Sequence, residues 1–143
     1  MDESFLFLPI QIRFNDIDPW GHVNNAVFQT YFDLGRLQFF DTLFGKSSIQ
    51  RENGLIIAHS ETDFYEPVLL NDSIGVKTRL KKTGNKSITL RQEIIDRDTN
   101  MVKACSISVL VCMNYHAGES IQIPAIWRKK LARMHKTDEA EIR

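Results

Sequence analysis

DIDPWGHVNNAVFQTYFDLGRLQFFDTLFG, residues Asp16 to Gly45, is the stretch whose reading decides the fold. Its second half is helical. Phe28, Tyr31, Phe32, Gly35 and Phe39 recur at a period of about 3.6 residues, and Val27, Leu34, Leu37, Phe40 and Leu43 fill a second row. Only Gln29, Asp33 and Arg36 make a polar stripe. A helix so apolar is expected to be wrapped on several sides. Asn24 or Asn25 is placed to cap its start, and Gly45 stands where a glycine ends a helix.

The first half, DIDPWGHVNN, is a turn forced by Pro19 and Gly21. It brings Asp16, Asp18 and His22 to the start of the helix, where free N–H groups and the positive dipole end favour an anion. An acid beside a ready-made oxyanion site is a starting point for acyl-transfer chemistry.

On either side of this stretch the pattern changes to a period of two. Phe5 to Phe14 reads as a strand, with Ile10, Ile12 and Phe14 on one face. Lys46 to Gly54 reads as a loop, and Leu55 to Tyr65 as a second strand ended by Pro67 and the Asn71-Asp72 turn. Ile74, Val76, Thr78 and Leu80 make one face of a third strand. Thr83-Gly84-Asn85 is a hairpin signal, leading to a fourth strand with Ile88, Leu90 and Ile94 inward. The fifth, Val102 to Asn114, sets Cys105, Ile107, Val109, Val111 and Met113 against Ser106 and Ser108. Pro124 starts a short helix over Ala125 to Met134, and the charged tail after it is expected to fray. The last three strands form an antiparallel meander with one apolar face. Such a sheet and such a helix have one solution: α+β, with the sheet curled around the helix.

At 143 residues the chain is expected to form one domain, 1–134, followed by the tail 135–143. The 18 basic and 18 acidic residues cancel, so no net basic field marks nucleic acid or an anionic membrane as a partner. No run approaches the roughly 20 apolar residues of a membrane span. MDESFLFLPI starts acidic, has a short apolar run and does not fit a signal peptide, so the cytoplasm is the expected compartment. Cys105 and Cys112, seven apart on one strand, point to opposite faces and are expected as buried, reduced thiols.

DIDPWGHVNN followed by an aromatic-rich helix with YFDLGR resembles the hotdog-fold acyl-CoA thioesterases of the 4-hydroxybenzoyl-CoA thioesterase and YbgC-like type. It is also similar to plant acyl-acyl carrier protein (acyl-ACP) thioesterases, which share the aspartate, the histidine and the paired asparagines. The resemblance runs from about Ile10 to Asn114 and includes FYEPVLLNDSI. It implies a hotdog fold, a curved antiparallel sheet of about five strands around a long helix. It further implies a homodimer joined edge to edge, dimers pairing into a tetramer, and an active site at the dimer interface.

By this resemblance Asp18 is the catalytic aspartate, as nucleophile or general base; a turn or capping aspartate is the plainer reading of the residue. The substrate is an acyl-CoA or an acyl-ACP, and a non-catalytic acyl-thioester binder is the rival from another class. Thioester hydrolysis of this kind uses no metal or cofactor, only a placed base and an oxyanion site. Asp16 reads as a turn stabiliser, with direct chemistry as the alternative. His22 orients substrate or water, or hydrogen-bonds the turn. Asn25 matches the position whose backbone N–H binds the thioester oxygen. Gly21, Val23 and Asn24 around it are expected to bind substrate. Asp33 is a second carboxylate candidate, set against an i, i+3 pair with Arg36. Lys81 and Lys82, with Lys77, Arg79 and Lys86, are placed to meet phosphates of CoA or of a carrier protein, or form a solvated hairpin. His59 and Glu61 are placed to face a partner's site.

Overall fold

A computed structural model describes residues 5–46 and 52–142, with residues 135–142 as backbone only. Residues 1–4 of the leader reading and 47–51 of the expected loop lie outside the described residues. β1 (Leu6–Ile10) is followed by a single 3-10 turn at Phe14–Asp16 and by α1 (Asn25–Phe44). Then come β2 (Gly54–Phe64), β3 (Ile74–Thr83), β4 (Ser87–Asp96), β5 (Val102–Asn114), the short β6 (Glu119–Ser120) and α2 (Ala125–Ile142). Every pairing is antiparallel, in the order β1-β3-β4-β5-β2, with β6 paired to the end of β5. The result is an unclosed α+β sheet curved around α1, the fold that the resemblance implies.

α1 begins where Asn24 turns the chain, its side-chain oxygen accepting from the Ala26 N–H at 2.9 Å. It ends at Phe44, with the Gly45 N–H bonded to Asp41 O. Packing rather than propensity holds a helix of this composition. Phe39, Phe40 and Phe44 pack with Leu80, Leu90 and Leu110 and with Trp127 and Leu131 of α2. Phe44 and Trp127 stack with centroids 4.5 Å apart. Nearer the start of α1, Phe28, Tyr31 and Phe32 pack with Val23, Val68, Val76 and Ile94. Each such side chain contributes about 1.5–3 kcal/mol on burial.

A polar row separates these two clusters. Thr78, Gln92 and Ser106 are neighbours in register on β3, β4 and β5, and all are fully buried beneath α1. Gln92 Nε2 donates to Phe32 O and to Thr78 Oγ1, and its Oε1 accepts from Arg36. Towards the β2 edge, Gln29 donates to Thr62 Oγ1, which donates on to Ser106 Oγ at 3.4 Å. Arg36 also bonds Asp33, so the expected i, i+3 pair is present, with Arg36 buried and Asp33 exposed.

Four expectations change. The first strand stops at Ile10, and Phe14 sits in the 3-10 turn with 80% of its surface exposed, because the chain is already bending towards Asp16. On β5 the inward row is Ala104, Ser106, Ser108, Leu110 and Cys112, and the more apolar row of Ile107, Val109, Val111 and Met113 faces outward, only partly buried. Each β5 residue follows its β4 partner: Ile88, Leu90 and Ile94 turn inward and take Leu110, Ser108 and Ala104 with them. α1 is not covered all round, since Leu34 and Leu37 stay exposed on the side the open sheet does not reach. Finally, α2 runs past Met134 to Ile142. Cys105 and Cys112 are free and buried on opposite faces, as the spacing requires.

Candidate active site

The segment between β1 and α1 closes on itself. The Asn24 N–H donates to Asp16 O at 2.9 Å, Ile17 and Val23 form an antiparallel bridge, and the Asp18 N–H donates to His22 O at 2.8 Å. The tip, Pro19-Trp20-Gly21, is tied by the Gly21 N–H to Asp18 O at 3.0 Å. Gly21 has φ +86°, a conformation that glycine takes without strain.

Asp18 stands at the neck of this tip. Its Oδ1 accepts from the N–H of Trp20 at 3.0 Å and of His22 at 3.3 Å. Oδ2 makes no hydrogen bond among the described residues. One oxygen therefore fixes the carboxylate, and the other is unbonded among the described residues. The residue is half-buried, between an exposed tip and the protein body.

Asp16, two residues back along the neck, has one carboxylate oxygen doubly bonded. Oδ2 accepts from the Arg13 N–H at 2.9 Å and from the Tyr31 hydroxyl at 2.6 Å. This is the turn-stabilising role. Burial chiefly, then the bond to Asp16 and its charge, pushes the Tyr31 phenol well above its ordinary range.

Asn24 is the helix cap, and Asn25 is the first residue of α1. The Asn25 N–H makes no hydrogen bond among the described residues, so it is one of the orphan donors at the helix start. His22 is exposed; its backbone bonds both ways with Asp18, while its imidazole has no partner among the described residues. Val23 lies differently from the other loop residues. Its side chain is in the core and its N–H is taken by Val68 O at 2.8 Å. It supports the loop from behind.

Lys81 and Lys82 are not brought to this loop. They follow Leu80, which packs with the far end of α1, whereas Ile74 at the start of β3 packs with Val23. Seven residues of strand, about 23 Å, separate Ile74 from Lys81. Lys77 lies 4.0 Å over the Phe5 ring, Arg79 also approaches that ring, and Lys86 bonds Ser120. His59 and Glu61 pair with Val109 and Ile107 and so share the outer face of the sheet. Among the described residues no group of three His, Cys, Asp or Glu side chains is arranged to hold a metal ion.

Sequence reasoning missed the Tyr31–Asp16 bond and the Gln92 row. The signal for the first was present: Tyr31 is the single hydroxylated ring among the aromatics of α1, and a buried tyrosine hydroxyl needs a partner. Gln92 interrupts the inward row of β4 in the same way.

Comparison with known proteins gives the same picture. The family model described as "Thioesterase-like superfamily" matches residues 12–132. The protein YsmA of Bacillus subtilis (strain 168) is 26% identical over 88 residues, 61% of this chain and 59% of that protein, so the match spans less than two thirds of its length. The chloroplastic acyl-acyl carrier protein thioesterase ATL3 of Arabidopsis thaliana is 26% identical over 141 residues, 96% of this chain and 73% of that protein. A crystal structure of a thioesterase from Thermus thermophilus, complexed with coenzyme A and Zn, superposes with a TM-score of 0.82 at 27% identity, covering 94% of this chain and 97% of that one.

Proposed function

The chain belongs to the thioesterase-like superfamily, and from that premise we propose that it is an acyl-CoA thioesterase in which Asp18 acts as nucleophile or general base. One observation carries the reading. Asp18 presents one fixed and one free carboxylate oxygen on a loop closed against a helix start whose first N–H, that of Asn25, is unpaired among the described residues.

Both routes use the same parts. As nucleophile, a carboxylate oxygen attacks the thioester carbonyl carbon, the C–S bond breaks, CoA leaves as thiolate, and water opens the mixed anhydride. As general base, Asp18 takes a proton from the water that attacks, and the tetrahedral oxyanion expels the thiolate, which is then protonated. In either case the oxyanion develops where the Asn25 N–H and the dipole end of α1 favour it. The coenzyme A bound by the Thermus thermophilus thioesterase supports the CoA ester as substrate.

β2 supports a homodimer. It is an edge strand of 11 residues, and Ile56 and Ile57 are exposed on it. Its first half, Leu55 to Ala58, is apolar, and an unpaired edge of this kind invites strand pairing. Edge-to-edge pairing, with dimers joining into a tetramer, would bring a partner's residues towards the Asp18 loop and give Lys81 and Lys82 a site to reach. Light scattering that finds only monomer at micromolar concentration overturns this part.

The test of the activity is thiol release from short, medium and long straight-chain and aromatic acyl-CoAs, with Asp18→Asn beside the wild type. The variant is expected to lose about 10²-fold or more in turnover. Near wild-type hydrolysis by Asp18→Asn overturns the assignment. The match to the Arabidopsis enzyme over 96% of the chain favours a second reading, an acyl-ACP thioesterase. Matched acyl-CoA and acyl-ACP substrates separate the two.

A further inference from the structure

Among the described residues, two hydrogen bonds tie the Asp18 loop to α1, beside the apolar packing of Val23 and Ile17. The first is at its neck, where the Asn24 N–H meets Asp16 O at 2.9 Å. The second is the Tyr31 hydroxyl on Asp16 Oδ2 at 2.6 Å. Tyr31 lies seven residues beyond Asn24, about 10 Å along the helix axis. Helical side chains lean towards the N-terminus, so the ring of Tyr31 spans that distance back to the loop. The ring is buried among Phe28, Phe32 and Val68 and has no freedom to follow a moving loop. A hydrogen bond from a hydroxyl to a carboxylate at this length is of the short, charge-assisted kind.

Asp16 is a junction as well as an acceptor. Its N–H donates to Arg13 O at 2.9 Å, and its carboxylate accepts from the Arg13 N–H. The 3-10 turn, the neck and α1 are therefore fastened through one residue. Val23 holds the loop from behind, through its core side chain and its N–H on Val68 O, and the Tyr31 bond adds a side-chain tie at Asp16.

We propose that Tyr31 and Asp16 form a positioning clamp that fixes the Asp18 carboxylate relative to the Asn25 N–H; this rests on the catalytic assignment of Asp18 above. Neither clamp residue touches the substrate. Their effect is on geometry, and a displacement of about 1 Å at a reacting group costs up to about 10²-fold in rate.

The experiment compares wild type, Tyr31→Phe, Asp16→Asn and Asp16→Ala. It reads kcat and KM by thiol release, and amide hydrogen exchange of the loop. Tyr31→Phe keeps the ring in the core and removes only the bond. It is expected to lower kcat about tenfold, with KM changed by less than about twofold. Asp16→Asn keeps an acceptor oxygen and is expected to fall between wild type and Asp16→Ala. Amides from Ile17 to Val23 exchange faster in Tyr31→Phe, while those of α1 beyond Phe32 keep their protection. Wild-type kcat in Tyr31→Phe overturns the clamp. So does a loss of protection along all of α1, which would make the bond one of general stability. If wild type hydrolyses no thioester at all, the assignment of Asp18 fails on its own. Exchange then judges the clamp: faster loop exchange in Tyr31→Phe supports it, and unchanged exchange overturns it.

Discussion

Arg36 Nη1 donates to Gln92 Oε1 at 3.0 Å, in the layer between α1 and β4. Both residues are buried, so each depends on the other for satisfaction. Gln92→Ala would leave the guanidinium without that acceptor, and Phe32 O and Thr78 Oγ1 without their shared donor. The expected cost is about 2–3 kcal/mol. At about 3–4 °C per kcal/mol for a chain of this size, Tm falls by about 6–12 °C. A thermal melt within about 2 °C of wild type would show that water satisfies the row instead.

Ser108 gives the opposite expectation. It is fully buried on the inward row of β5, and its hydroxyl has no partner among the described residues. Ser108→Ala removes an unpaired polar group at almost no cost in volume. The variant is expected to be more stable by about 1 kcal/mol, read as a higher urea midpoint at unchanged slope. A lower midpoint would mean that the hydroxyl is bonded.

Gly35 marks the closest approach of α1 to the sheet. A Cβ there would stand 2.7 Å from both Gln92 Nε2 and Val76 Cγ1. Alanine gains about 1 kcal/mol of helix propensity, but overpacking costs about 1–3 kcal/mol. Since Gln92 is pinned by its own bonds, overpacking wins. Gly35→Ala should lower Tm by several degrees, and a rise in Tm would show that the layer yields.

Both thiols should be silent in the folded protein. Burial pushes Cys105 up, and Cys112 up to about 11 from an ordinary value of 9.0. A thiol reagent at about pH 8 should find no reactive cysteine until denaturant is added, and both afterwards. This also makes thiol release a clean assay. Because the folded value lies above the unfolded one, the Cys112 contribution to stability is complete below about pH 9 and is lost as the pH rises towards 11. Rapid labelling of native protein at pH 8 would contradict the burial of both side chains.

Much of the fold was legible in the chain. The period of about 3.6 residues and the cap signals located α1, and Pro19 with Gly21 placed the turn before it. The hairpin residues gave β3 and β4. The Asp18 turn and a cap at Asn24 or Asn25 follow from local chemistry, and the structure selects Asn24; the Asn25 N–H was singled out only by the resemblance. The same local reasoning failed on β5, where the more apolar row is Ile107, Val109 and Val111, yet Ser106 and Ser108 turn inward. It also gave no sign that Lys81 and Lys82 lie far from the loop within the chain.

What the sequence determined by itself was set by near neighbours: turns, the start and end of α1, strand period and the residues of the Asp18 loop. Tertiary structure decided which face of β5 looks inward, that β2 pairs with β5 at an edge, and that Tyr31 reaches Asp16. The reason is that these depend on residues distant in the chain. A strand's two faces are equivalent until its partner fixes the register, and a buried hydroxyl takes whichever acceptor packing brings within about 3 Å.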